Sequence, residues 1–218
     1  MLTALADELA EFGPFFVVSI HDSVSEPWRP MRRLVDDPHT LTNRVDRVRA
    51  ALAASARRDP EDIDRRVAAS VAHLGLVARL LAPMIGFRAL GYPVVWSLDD
   101  LAWQDELGGP YRLSVASGHT AGSPAVEAIT EAFGRFDVSP KVLWGNVGSA
   151  ANSAAQQIGR ARSDLAGAAR DAADDVLADP RVDGGVLRSG PAFRRQSCCL
   201  IYQLAGDRAA CCGDCVLL

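Results

Sequence analysis

No cysteine occurs before position 198 of this 218-residue chain, so any thiol chemistry is confined to the C-terminal segment. Positive charge is not in excess either. With 23 Lys and Arg against 27 Asp and Glu the formal net charge is −4, which leaves no electrostatic footprint for a nucleic acid or an anionic membrane. No run reaches the ~18 consecutive apolar residues of a membrane-spanning helix, so no membrane span is predicted. Residues 1–12 carry Asp7, Glu8 and Glu11 where a secretion signal would need a basic start and an apolar core, which predicts a cytoplasmic chain. The histidines His21, His39, His73 and His119 share no paired-ligand spacing. Gly108-Gly109 belongs to no dinucleotide or phosphate-loop pattern, and no serine nucleophile elbow is present. A flavin or nicotinamide therefore has no visible site, and no internal repeat is present.

What remains is an ordinary globular composition, 49% hydrophobic and 23% charged. The predicted architecture is α+β: a mainly α-helical body with a small antiparallel sheet and a C-terminal metal-cluster loop. It is read as one domain over 1–218, with 1–187 as scaffold and 188–218 as the cysteine-bearing segment. Leu2, Leu5, Leu9 and Phe12 recur at helical spacing, and Gly13-Pro14 stops that helix. Phe15 to Ile20 fits a strand or a buried loop equally, and Glu26 to Asp37 reads as irregular. Asp37-Pro38 leads into a helix over Leu41 to Ser55. Asp59-Pro60-Glu61-Asp62 is a cap, a proline at the first helical position and acids in the first turn. It predicts a helix through Val67, Val71, Leu74 and Val77 to Leu81, kinked or ended by Pro83. Alternation at Val94, Trp96 and Leu98, at Leu101 and Trp103, and at Tyr111, Leu113 and Val115 predicts antiparallel strands. Ser123-Pro124 and Ser139-Pro140 start two more helices. The second is rich in Gly, Ala and Ser, which predicts close packing, and a further helix spans Ser163 to Leu177. Leu200 to Leu204 is predicted as a strand that carries Cys198 and Cys199 at its start. The acid pairs Asp99-Asp100 and Asp174-Asp175 read as turn or helix residues rather than catalytic dyads.

The chemistry sits in Cys198-Cys199 and Cys211-Cys212-Gly213-Asp214-Cys215. Two residues between Cys212 and Cys215 let both thiolates turn onto one metal, and Gly213 suits the positive φ that such a loop often needs. Vicinal cysteines on an extended strand point to opposite faces and need a kink to converge. Spacing alone leaves three readings: a structural zinc site with four thiolates, an iron-sulfur cluster, or a dithiol. The odd cysteine count and the missing secretion signal disfavour the last.

Arg194-Arg195-Gln196-Ser197-Cys198-Cys199-Leu200-Ile201-Tyr202, Cys212-Gly213-Asp214-Cys215 and Val142-Leu143-Trp144-Gly145-Asn146-Val147 together resemble the bacterial ferric-siderophore reductases of the [2Fe-2S] type. Val67 to Leu81 adds to this, so the resemblance covers most of the chain. It implies a [2Fe-2S] cluster on Cys198, Cys199, Cys212 and Cys215. It also implies a ferric siderophore, hydroxamate type, as substrate, an external electron-donor protein, and release of ferrous iron. The chain departs from the pattern in its longer spacer between Cys199 and Cys212, placed at a turn over Ala205-Gly206-Asp207, and in Cys211, a bystander or a substitute ligand. Two further readings stand beside it: an iron-sulfur electron-transfer protein without a siderophore substrate, and a zinc-binding module. His73 reads as a satisfied core histidine, with a contact near the cluster as the functional reading. Asp214 should lower the cluster potential, and Arg194 and Arg195 should oppose it and dock an acidic donor. Net charge and Asp214 together predict a preference for neutral or positive chelates.

Overall fold

A computed structural model of the chain describes residues 2–118, 122–205 and 211–217. Its helices are α1 (Leu2–Ala10), α2 (Arg33–Asp36), α3 (Pro38–Ala56), α4 (Arg65–Ala89), α5 (Ala125–Ala132), α6 (Pro140–Ala161), α7 (Ala166–Leu177) and α8 (Tyr202–Ala205). Four short strands, β1 (Ser19–His21), β2 (Arg29–Pro30), β3 (Leu101–Trp103) and β4 (Leu113–Ala116), complete an α+β fold with a mainly helical body.

Local sequence accounts for the starts of three of the helices, α3, α4 and α6. Asp37 accepts from the His39 amide at 2.9 Å and from Thr40 Oγ1 at 2.8 Å, and with Pro38 at the first position it begins α3. Ser139 accepts from the Lys141 amide at 3.3 Å and begins α6. The predicted start at Asp59 is displaced. Pro60–Asp62 closes only a 3₁₀ turn, because the chain then extends to bury Ile63. Asp64, accepting from the Arg66 amide at 2.8 Å, becomes the cap of α4.

Pro83 does not end α4, which continues to Ala89. A proline inside a helix costs about 3 kcal/mol. The buried side chains of Leu80, Leu81, Ile85 and Phe87 on either side each return about 1.5–3 kcal/mol, so packing overrides it. By length and apolar composition α4 would also suit a membrane span, but 72% of that stretch is buried inside the body, where it serves as the core helix.

α6 lies against α4 and α7, and its small residues set the distance. A Cβ on Gly148 would come within 2.8 Å of Val182 Cγ1. Buried Ala150, Ala151, Ala154 and Ala155 extend the same close approach.

The sheet is mixed rather than wholly antiparallel, with order β1-β4-β3-β2. β3 runs antiparallel to β4 (Ala102 opposite Ser114), as the alternation predicted, and also to β2 (Arg29 opposite Trp103). β1, from the apolar run left open between strand and loop, adds in parallel on the other side of β4 (Ile20 opposite Val115). The segment read as irregular thus supplies β2 and α2. Val94 to Leu98 is not a strand. The Asp100 carboxylate accepts from Ser97 N at 2.8 Å and Ser97 Oγ at 3.0 Å, which closes a 3₁₀ turn over Leu98–Asp100 and takes those residues out of the ladder. Buried Arg79 of α4 ties the helices to the sheet side, donating to the carbonyls of Tyr111 (2.8 Å), Phe15 (2.9 Å) and Val17.

Candidate metal centre

After α7 the chain returns along α6 by way of side chains that accept from its backbone. Asp174 accepts from Ser189 N at 2.6 Å, Asn152 from Gly190 N at 2.8 Å, and Asp183 from Gln196 N at 2.9 Å. Phe193 is buried and anchors the segment. The Arg195 amide then donates to the Asp214 carbonyl at 3.1 Å, which draws the two cysteine-bearing stretches together.

Leu200 to Leu204 is not the predicted strand. Leu200 takes φ +70°, its amide donates to Cys198 Sγ at 3.3 Å, and the chain coils into α8 beside α3, where no strand edge is available to pair with it. The left-handed residue turns the chain directly after the vicinal pair. The Cys212–Cys215 loop closes on itself, with the Cys215 amide donating to the Cys212 carbonyl at 3.0 Å. Gly213 does not use a positive φ, and a Cβ there would meet nothing within 4 Å. Of the predicted turn over Ala205-Gly206-Asp207, Ala205 ends α8, while Gly206 and Asp207 lie outside the described residues, as does His119.

The thiols come together in two pairs. Cys199 Sγ stands 3.8 Å from Cys212 Sγ, and Cys198 lies near Cys215. Cys199 and Cys215 are buried; Cys198, Cys211 and Cys212 are half-buried, and no disulfide joins any of the five. Among the described residues no three metal-ligating side chains converge on a single point. Backbone N–H groups donate to sulfur at two of the four: Leu200 to Cys198 at 3.3 Å and Leu217 to Cys215 at 3.4 Å. Such donors favour thiolate. The Cys199 thiol is held below its ordinary range, first by the hydrogen bond from Cys212 and also by the Arg195 charge, against the opposing effect of burial. The same bond, with burial, holds Cys212 above it. Burial pushes Cys198 up.

Arg195 is the residue whose position sequence reasoning misjudged. It is 1% exposed and cannot dock a partner; Arg194, beside it, is exposed. Its Nη2 donates to Asn146 Oδ1 at 2.9 Å and Val142 O at 3.2 Å, while Nε and Nη1 have no hydrogen-bond partner among the described residues. No carboxylate pairs with it there, and burying an uncompensated charge costs several kcal/mol. Gly145 makes room for it: a Cβ would lie 2.1 Å from Ser197 Oγ and 2.9 Å from Arg195 Nη2.

The network runs on into α4. Asn146 Nδ2 donates to Ser70 O at 3.0 Å and lies 3.4 Å from His73 Nδ1, and Ser70 Oγ donates to the Cys199 carbonyl at 2.8 Å. Thr130 Oγ1 donates to Val126 O, so its lone pair is left for His73 Nε2 at 3.1 Å. Burial, then the Arg195 charge, lowers His73 to about 3, so it is a neutral core histidine. The stretches around 67–81, 142–147 and 194–202 thus meet in one hydrogen-bonded cluster. Asp99 and Asp175 are taken by Arg32 and Arg88, and Asp174 and Asp100 accept from backbone, so neither acid pair is a catalytic dyad.

Thiols gathered beside a buried cation that lacks a counter-charge, on an α+β body, define the class of a cysteine-based metal or redox centre. The donor set fits such a group: N–H···S bonds favour thiolates, and thiolate charge would compensate Arg195. Residues 195–217 match the FhuF 2Fe-2S C-terminal domain. No curated protein matches the chain. The match is confined to this C-terminal segment.

Proposed function

We propose that the protein is a cytoplasmic ferric-siderophore reductase in which Cys198, Cys199, Cys212 and Cys215 hold a [2Fe-2S] cluster. In this reading residues 188–218 bind the cluster and residues 1–187 form the scaffold of the same domain. The observation that carries it is the juxtaposition of the family-matched thiols with the orphaned donors of buried Arg195.

The bound group would supply a one-electron carrier, at roughly −400 mV in plant-type ferredoxins and tuned by charge, hydrogen bonds and exposure. The protein's residues set those conditions. Arg195 offsets the negative charge of the thiolates, and the amides of Leu200 and Leu217 hold two of the sulfurs. Ser70 and Asn146 hold the segment against α4 and α6. Cys212 is half-buried, within reach of an acceptor that approaches from outside.

Hydroxamate oxygens are hard, anionic ligands that hold ferric iron far more tightly than ferrous iron. The chelated iron gains one electron and becomes ferrous, no bond to the protein forms, and an external electron-donor protein replaces the electron. The complex then loosens and releases its metal.

The test is protein purified without air. Iron and sulfide in equal amounts, with a visible spectrum bleached by dithionite and restored by a ferric trihydroxamate while a ferrous trap colours, is the expected result. A colourless zinc protein would favour the structural module, and bleaching without reoxidation by ferric chelates an electron-transfer protein.

A further inference from the structure

Between α4 and α6 lies a cavity of about 860 Å³ that ends on Cys212, Gly213 and Asp214. Its volume is in the range of small-molecule sites, roughly 300–1,000 Å³. The floor is apolar, from Val71, Leu74 and Ala78 of α4, and the rim is polar, from Gln156 and Gln157 of α6.

Two guanidiniums stand on that rim, Arg160 and Arg194, and both are exposed. Several arginines outside the cavity meet carboxylates: Arg32 with Asp99, Arg44 with Asp105, Arg88 with Asp175, Arg181 with Asp179 and Glu127. Arg160 and Arg194 instead make one neutral contact each, Arg160 Nη2 to Gln156 Oε1 at 3.3 Å and Arg194 Nη1 to Phe193 O at 2.9 Å. No carboxylate pairs with either among the described residues. The carboxylate in the wall, Asp214, already accepts from Ser149 Oγ. The cavity therefore carries two cations free to meet a ligand, on a chain whose net charge is −4.

We propose that this cavity docks the ferric chelate, and that Arg160 and Arg194 make it select hydroxamate complexes carrying additional carboxylates, net anionic, over neutral ones. The inference rests on the reductase reading and reverses the preference that net charge alone predicts. A local pair of cations on the rim of the cleft governs approach more than remote charges, which solvent screens beyond ~10 Å at moderate salt. Apolar floor and cationic rim match such a complex, with a greasy backbone on one side and carboxylates on the other. The open space over Gly213 leaves the loop between Cys212 and Cys215 uncovered on that side, so a docked chelate meets the thiol edge without any backbone movement.

The experiment measures binding separately from electron transfer. Redox-inert gallium complexes of a citrate-based dihydroxamate, net anionic, and of a neutral cyclic trihydroxamate are titrated into holoprotein at low salt. The anionic complex should bind at least about tenfold more tightly. That ratio should fall to near unity in the Arg160→Gln, Arg194→Gln double variant, with the cluster spectrum unchanged. Ser153→Trp, an exposed rim substitution, should weaken both complexes. Equal binding of the two complexes by the natural protein, or a preference that survives the double variant, overturns the proposal. Reoxidation by the ferric complexes is followed in parallel. Tight, arginine-dependent gallium binding without reoxidation would sink the reductase reading and leave the cavity standing. Reoxidation indifferent to both arginines and to Ser153→Trp would do the reverse.

Discussion

The hydroxyl of Ser70 donates to the carbonyl of Cys199 at 2.8 Å across 129 positions of sequence, with Ser70 fully buried. This bond joins the central helix to the cysteine segment beside the left-handed Leu200, where the chain turns after the vicinal pair. Ser70 also accepts from Asn146, which receives Arg195, so one hydroxyl ties α4, α6 and the thiol segment together.

Ser70→Ala should therefore loosen the segment rather than the body. It leaves a buried carbonyl and an amide donor short of a partner, a cost of about 1–3 kcal/mol. Helical content should be unchanged, while iron is lost to a chelator severalfold faster than from the natural protein. Equal rates of iron loss would show that the segment is held by something else.

Serine at Cys198, Cys199, Cys212 or Cys215, one at a time, should abolish or strongly alter the visible spectrum. Cys211→Ser should leave it nearly intact. Loss in Cys211→Ser with retention in Cys212→Ser would exchange the roles of the two neighbours.

Arg195→Gln removes the buried charge while keeping a donor for Asn146. A unit positive charge several ångström away, at an effective dielectric of ~20, stabilises the more negative reduced state by about 2 kcal/mol, on the order of 100 mV for one electron. The midpoint potential should fall by an amount of this order in a redox titration read by electron paramagnetic resonance. An unmoved potential in a variant that still holds its cluster would mean that Arg195 only shapes the site.

His73 should make the fold acid-sensitive. Its folded pKa, about 3, lies below the ordinary 6.5, so the unfolded chain binds the extra proton between those values. The neutral buried form contributes fully above pH 6.5, and stability is lost as pH falls from there toward 3. His73→Gln should flatten that part of the profile of denaturant midpoint against pH. A variant with the same acid slope would assign the effect to the carboxylates.

Asp37-Pro38 and Ser139-Pro140 were legible because a cap is satisfied by amides two residues away, and the chain alone decides it. The confinement of every cysteine to 198–215, the Cys212–Cys215 spacing and the alternation of β3 and β4 are likewise properties of neighbours in sequence. Tertiary structure decided what depends on distant partners. Helix α4 passes through Pro83 because buried neighbours outweigh a lost hydrogen bond, and β1 joins in parallel because β4 has an open edge beside it. Leu200 to Leu204 coils because it has no strand to pair with. Arg195 reads as a surface arginine in the sequence. Only the gap at Gly145, the carbonyl of Val142 and the amide of Asn146 turn it inward, because burial of a charge is set by what surrounds it in space.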